Sequence, residues 1–296
     1  MKKFFILAVF TLSTTVISFG QNKITQTRDV TGFNSIDLKI WATVYVTQDN
    51  HFSVQVTGPQ EWLEKISTEV DDEDLEISVE SKDWSKDFMK NKPDVIINIS
   101  MPKINELNVS GSGTITSQNS ILTDMLSLDI HGSGTINVAE FKAGKFQTGV
   151  YGSGYINIGK GTAESIEEEV QGSGSIKSSS LMGSLVSISL AGSGDIKVED
   201  VSSEKLEAET SGSGNVKISK GIVNDLALAT TGSGSISASD LVGKKVSAQV
   251  AGSGSISVGV LDILDASIAG SGSVVYKGSP SNISKSISGS GSVRQN

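Results

Sequence analysis

From about residue 105 onward, polar and apolar positions alternate with period two on both sides of a recurring Gly-Ser-Gly triplet. The triplet begins at Gly111, Gly132, Gly152, Gly172, Gly192, Gly212, Gly232, Gly252, Gly270 and Gly289, at steps of 21, then 20 six times, then 18 and 19. Two residues past the second glycine every copy carries Ile or Val, from Ile115 and Ile136 to Val274 and Val293. Two residues before the first glycine the column is aliphatic or β-branched, from Val109 and Ile130 through Thr210 and Thr230 to Ile287. Four positions further back runs a second apolar column, Leu126, Phe146, Ile166, Val186 and onward, broken only by Asn105. The residues between are polar, as in Thr114, Thr135 and Ser175. Each repeat therefore predicts a strand, a glycine corner and a second strand, each strand with one buried face. A further stretch of about six residues, such as Ser180 to Leu185 or Asp240 to Lys245, must return the chain one layer up.

Equivalent side chains recurring every twenty residues in a β pattern predict a solenoid. Propeller blades need about forty residues, leucine-rich repeats need a Leu and Asn ladder, and the left-handed hexapeptide helix needs a six-residue subperiod, which is missing. The expected fold is all-β: a parallel, right-handed β-helix of about ten twenty-residue coils over residues 105–296, with layers ~4.8 Å apart. Stacking explains the triplet. A corner that needs close backbone approach in one coil needs it in all, and glycine meets that need without steric cost. The pattern leaves open whether the triplet serines face inward or outward.

Residues 21–104 lack the triplet but keep the alternation, in Ile36-Leu38-Ile40, Val44-Val46, Val54-Val56, Leu75-Ile77-Val79 and Val95-Ile97-Ile99. They are expected to form a β-rich cap on the first coil, with a short helix over Pro59 to Ser67 placing Trp62, Leu63 and Ile66 on the core. The acidic run Asp71 to Asp74 reads as a turn, because it lacks the glycine and spacing of a calcium loop. Residues 1–20 read as a signal peptide: Lys2 and Lys3, an apolar run from Phe4 to Phe19, and small residues Ser18 and Gly20 before the expected cleavage. The mature chain is then expected to be exported, to the periplasm, the outer-membrane surface or the medium, with no transmembrane segment.

Apolar residues make up 37% of the chain, aromatics 5%, and cysteine is absent, so export brings no disulfides. Without the two leader lysines, 22 basic residues face 33 acidic ones, a charge of −11 that argues against nucleic acid or anionic lipid as partners. Chemistry is sparsely signalled. The triplets are followed by strands rather than helices and by no Lys-Ser/Thr, which excludes a phosphate loop. His51 and His131, the only histidines, stand on different modules, so neither a triad nor a histidine-rich metal site is expected, and no cofactor is called for. The best ligand-contact candidates are Trp84 and Phe88, set among charges between Ser81 and Pro93, although both could instead fold onto the cap.

Two functions compete. One is a non-enzymatic binding or adhesion-like module that contacts an envelope protein or a glycan. The other is a polysaccharide lyase or hydrolase, which would need carboxylates grouped with Lys or Arg on one outer sheet. Lys177, Lys197 and Lys217 form such a column, and Glu169, Glu199 and Glu209 are expected to neutralise it. The last coil, Ser288 to Asn296, shows no evident cover, which predicts an edge for pairing with a second copy or a partner.

Arg28-Asp29-Val30 with Gly32-Phe33 and Ser35-Ile36, the strand Leu75 to Val79, Pro102 before the first coil, and the repeated G-S-G-x-I-x-V together resemble the head GIN domain family. This is the auto-transporter adhesin family of exported Bacteroidetes-type proteins, and the resemblance covers nearly the whole mature chain. It implies a β-helical fold and an adhesive role. An autotransporter passenger precedes a membrane barrel, whereas the last triplet here lies five residues from Asn296, so adhesion without self-export is expected.

Overall fold

Each twenty-residue repeat folds into one coil with three sides, and a parallel ladder runs up each side. The structure, a computed structural model, describes residues 23–79 and 92–296. In the coil from Ser175 to Gly194, Ser175–Ser178 forms the second side, residues 180–183 a narrow third side and residues 185–192 the broad side. All three pair in register with the next coil: Ile176 with Ile196, Leu181 with Val201, and Val186 with Leu206. The register step is twenty residues, so every expected apolar column points inward. Ile115, Ile136, Ile156, Ile176 and Ile196 line the second side, and Val109, Ile130, Val150, Val170 and Leu190 the broad side, all buried. The all-β solenoid is as the periodicity predicts.

The triplet turns the corner between the broad and second sides. From Gly152 onward its first glycine has positive φ, as at Gly212 (φ +121°), where a Cβ would lie 2.5 Å from the Gly192 carbonyl oxygen of the coil below; at Gly111 and Gly132 backbone approach alone crowds a Cβ, at 2.6 and 2.5 Å. Its second glycine is buried: a Cβ on Gly214 would meet the Gly194 carbonyl at 2.5 Å and the Leu190 side chain at 2.7 Å. Conformation excludes side chains at the first position, and close packing does so at the second. The carbonyl of each first glycine accepts the amides of the next triplet, as Gly192 O does from Ser213 N and Gly214 N at 2.9 and 3.0 Å. The triplet serines all face outward and are exposed. Among the described residues no side-chain hydrogen bond joins one of these serines to another.

Residues 35–101 supply two further layers, stacked out of chain order. The strand Ser35–Leu38 lies between Asp74–Val79 and Glu106–Val109, and Thr43–Gln48 lies between Ile96–Met101 and Thr114–Ser117, all parallel. Below them the pairing becomes antiparallel. Ser53–Pro59 runs against Ile96–Met101, Lys23–Arg28 against Ser53–Pro59, and Ile66–Asp71 against Asp74–Val79. That change of direction ends the parallel stack at this end. The expected helix is a single turn, Gln60–Leu63, which buries Trp62 and Leu63, while Ile66 begins a strand instead. The Arg28 guanidinium donates to the Leu63 carbonyl at 2.6 Å, satisfying an orphan acceptor at the end of that turn. Asp72 and Glu73 take positive φ in the turn expected there, and the Glu73 carbonyl accepts from the Asn34 amide.

At the far end, Ile283 and Ile287 continue the inward columns of Leu264 and Ile268 but are exposed. Between them Lys285 holds the inward position occupied one layer earlier by Ala266. Its Nζ donates to the Val293 carbonyl at 3.3 Å and sits 5.6 Å from the Tyr276 ring.

Candidate functional site

Because the interior is filled by aliphatic columns, chemistry is confined to the three outer sides and the corners, plus one buried pair. One networked outward cluster lies on the broad side of the early coils. Gly149 stands in register between Asp129 and Glu169, and the Tyr151 ring leans into the space a Cβ on Gly149 would take, 2.6 Å from its ideal position. Shielding a strand glycine by a neighbouring aromatic ring secures an otherwise bare stretch of sheet. The Tyr151 ring stacks on His131 of the coil below, with centroids 4.9 Å apart and planes at 11°, and its hydroxyl donates to Glu169 Oε2 at 3.1 Å. Partial burial and the Glu169 carboxylate push the Tyr151 hydroxyl up to about 12. Gln171 donates to the other Glu169 oxygen at 2.7 Å, and Ser127 to Asp129 at 2.6 Å. Burial raises Asp129, and burial with repulsion from Asp129, Asp74 and Asp37 raises Glu106. The cluster thus offers hydroxyl, amide, imidazole and carboxylate groups on a flat sheet, a set suited to hydrogen-bonding a polar ligand.

A second feature is the cleft at the base of the serine ridge, of about 210 Å³, lined by Trp41, Thr43, Tyr45 and residues 92–96. By register, Ile40-Trp41-Ala42 occupies the place of Gly111-Ser112-Gly113 in the next coil, so Trp41 stands at the foot of the column of triplet serines. Its indole donates to the Pro93 carbonyl at 2.9 Å, its ring meets Trp62 edge-on at 5.4 Å, and Lys92 lies 5.2 Å from it. Trp84 and Phe88 lie outside the described residues. Of the described residues that flank them, Val79 is in register with Ile40 and Val95 with Ala42.

The expected lysine column stands in register, Lys177 with Lys197 and Lys197 with Lys217, but only one of the three expected acids neutralises it. Glu199 pairs with Lys177 at 3.3 Å and Lys197 at 3.9 Å on the second side. Glu169 and Glu209 sit around the corner on the broad side, and Glu169 bonds to Tyr151 and Gln171 instead. A triplet corner separates residues that seemed adjacent along the chain. His51 is 3.3 Å from Asp49 in the connection between Thr43–Gln48 and Ser53–Pro59, apart from His131. Among the described residues, no group of three or more His, Asp or Glu side chains is placed to hold a metal ion. Among the same described residues, no helix is long and apolar enough to cross a membrane.

One ionisable group was overlooked in the alternation. Glu168 occupies an inward position, between Thr148 and Ile188, and is fully buried. Ser178, across the core, donates to Glu168 Oε1, and Oε2 has no partner. Burial pushes this carboxyl up to about 7, against the lowering effect of the Ser178 bond. The run Glu167-Glu168-Glu169 hid it: of three consecutive acids in a strand, the middle one must face the opposite way from its neighbours.

A family profile described as "Putative auto-transporter adhesin, head GIN domain" matches residues 32–220 and 179–280. The chain belongs to the head GIN domain family. Solved structures share its architecture. A "putative lipid binding protein" from Parabacteroides distasonis ATCC 8503 is 26% identical, with 93% of this chain and 96% of that one aligned and a TM-score of 0.51. A "putative adhesin" from Parabacteroides merdae ATCC 43184 is 16% identical over 94% and 97%, with a TM-score of 0.53. A further "putative adhesin" from Parabacteroides distasonis ATCC 8503 is 20% identical over 93% and 98%, with a TM-score of 0.54. The last two likenesses concern the fold alone. No curated protein matches this head GIN chain in sequence.

Proposed function

We propose that this head GIN chain is an exported, non-enzymatic binding module of the cell envelope that works in the manner of an adhesin. The observation that carries the reading is the serine ridge. Ten outward hydroxyls stand one per layer, on the order of 4.8 Å apart, with Trp41 at their foot and the Tyr151, His131 and Glu169 cluster on the adjoining side. A straight, flat row of hydrogen-bonding groups suits an extended polar ligand, such as a glycan strand or a partner's backbone, that makes many weak contacts at once. Trp84 and Phe88, aromatics set among charges in the sequence, belong to the proposed contact surface. The family's adhesin description supports the reading, and the leader residues support export.

The test is binding of the purified chain to an immobilised glycan panel and to envelope fractions. Phospholipid vesicles are included because one structural relative is called lipid-binding. Trp84→Ala with Phe88→Ala, and separately Tyr151→Ala, are expected to weaken capture at least about fivefold, the loss typical of removing a contact aromatic, with the fold retained by circular dichroism at the assay temperature. Capture that survives these three substitutions and Ser173→Lys with Ser213→Lys on the ridge would remove the ridge and its flanks from the contact surface. The rival polysaccharide-cleaving reading predicts new reducing or unsaturated ends on incubation with pectin, alginate or glycosaminoglycan, and the binding reading predicts none.

A further inference from the structure

Among the described residues, eight of the twelve large apolar side chains that are exposed lie on one side of the solenoid or its edge, the narrow third side. One row runs up it in register: Leu122, Lys142, Thr162, Met182, Ser202, Ile222 and Val242. Leu122 and Ile222 are each 65% exposed and Met182 is 56% exposed. Beside the row, Ala143, Ala163, Gly183 and Ser203 leave a groove of about 610 Å³. Leu185 and Ile263 border the same side.

The charge on this side differs from that of the rest of the molecule. Residues 122–125, 140–145, 160–165, 180–185, 200–205, 220–225, 240–245, 259–263 and 277–282 hold eight Lys and eight Asp or Glu, a balance of zero, so the net charge of −9 lies wholly elsewhere. An anionic membrane would be repelled by the molecule as a whole, whereas two copies can meet here without opposing like fields. Size agrees as well. Eight layers from Leu122 to Leu261 span about 34 Å, and the side with its bordering residues, six per layer as in 180–185, is about 20 Å wide, on the order of 700 Å² against the ~800 Å² that each partner gives to a standard interface.

We propose that the third side is a self-association surface on which two copies pack antiparallel, with the dyad at Ser202. That placement sets Met182 of one copy on Ile222 of the other, Thr162 on Val242, and Lys142 near Asp262, each contact made twice as a two-fold interface requires. The small residue at the dyad lets the flanking Met and Ile side chains approach. The terminal coil suits self-pairing less well, because an antiparallel match of its broad-side strand would set Lys285 against Lys285.

Sedimentation of the purified chain tests this. At about 100 μM, above the dissociation constants usual for interfaces of this size, the chain is expected to sediment as a dimer. Met182→Lys with Ile222→Lys should raise the dissociation constant at least about 100-fold, while Tyr151→Lys on the broad side leaves the dimer intact. Lys142→Glu should weaken the dimer, and adding Asp262→Lys should restore it, which a merely misfolded variant would not do. A monomer at that concentration, or a dimer indifferent to all these changes, overturns the proposal. A monomer that floats with phosphatidylcholine vesicles through Met182 and Ile222 also overturns it, in favour of a lipid surface.

Discussion

Glu168 shows how much a single side chain in a dry core governs. Its folded carboxyl is raised to about 7 from an ordinary value of 4.5, so the folded chain holds a proton that the unfolded chain releases between those values. The stability this group contributes is therefore fully present below about pH 4.5, is lost as pH rises toward 7, and stays lost above it. The difference is on the order of 3 kcal/mol. Glu168→Gln is expected to raise Tm at pH 8 and leave it nearly unchanged at pH 5. Equal shifts at both pH values would show that the group is not buried as described. The triplet glycines are a second residue-scale constraint. Gly214→Ala should cost about 2 kcal/mol or more in a urea titration, because backbone from the coil below fills the place of its Cβ. Ser213→Ala, exposed at the same corner, should cost under about 0.5 kcal/mol.

At the scale of strands and their ladders, buried polar side chains act in pairs across coils. Thr210 and Thr230 break the aliphatic column of the broad side, and their hydroxyls meet at 3.2 Å, with Thr230 donating on to the Gly234 carbonyl at 3.4 Å. Thr210→Val alone should cost about 1 kcal/mol because it strips Thr230 of a partner. The double change to Val should cost less than the two single changes summed, a coupling that a double-mutant cycle reads directly. The columns were legible because period two and period twenty reinforce each other over ten copies. Trp41 was not. Its place at the foot of the serine ridge depends on pairing between residues 35–48 and 106–117, and no triplet marks that coil. The helix over Pro59 to Ser67 was overextended for a related reason: Ile66 sits at helical spacing from Trp62 and Leu63, but pairing with Val79 draws it into a strand.

For the whole molecule, stability belongs to stacking, since each coil buries its side chains only against its neighbours. Deleting Asp195 to Gly214, one register unit, joins Gly194 to Asn215 in an equivalent position and should leave a folded solenoid about 4.8 Å shorter, with a modest loss in Tm. Deleting only Asp195 to Glu204 should abolish the cooperative transition, since the chain above would then enter out of step with the coil below. Unfolding of both variants followed by circular dichroism separates these outcomes. The amino-acid order alone determined the solenoid of residues 105–296, its coil per triplet and its glycine corners, because a repeat repeats its own environment and each copy confirms the others. Three features were decided by tertiary structure: the layer order of residues 35–101, the separation of Glu169 and Glu209 from the lysine ladder, and the gathering of exposed apolar side chains on the third side. Each depends on which strand lies above which and on where the chain turns a corner, and those pairings are long-range choices that local alternation does not encode.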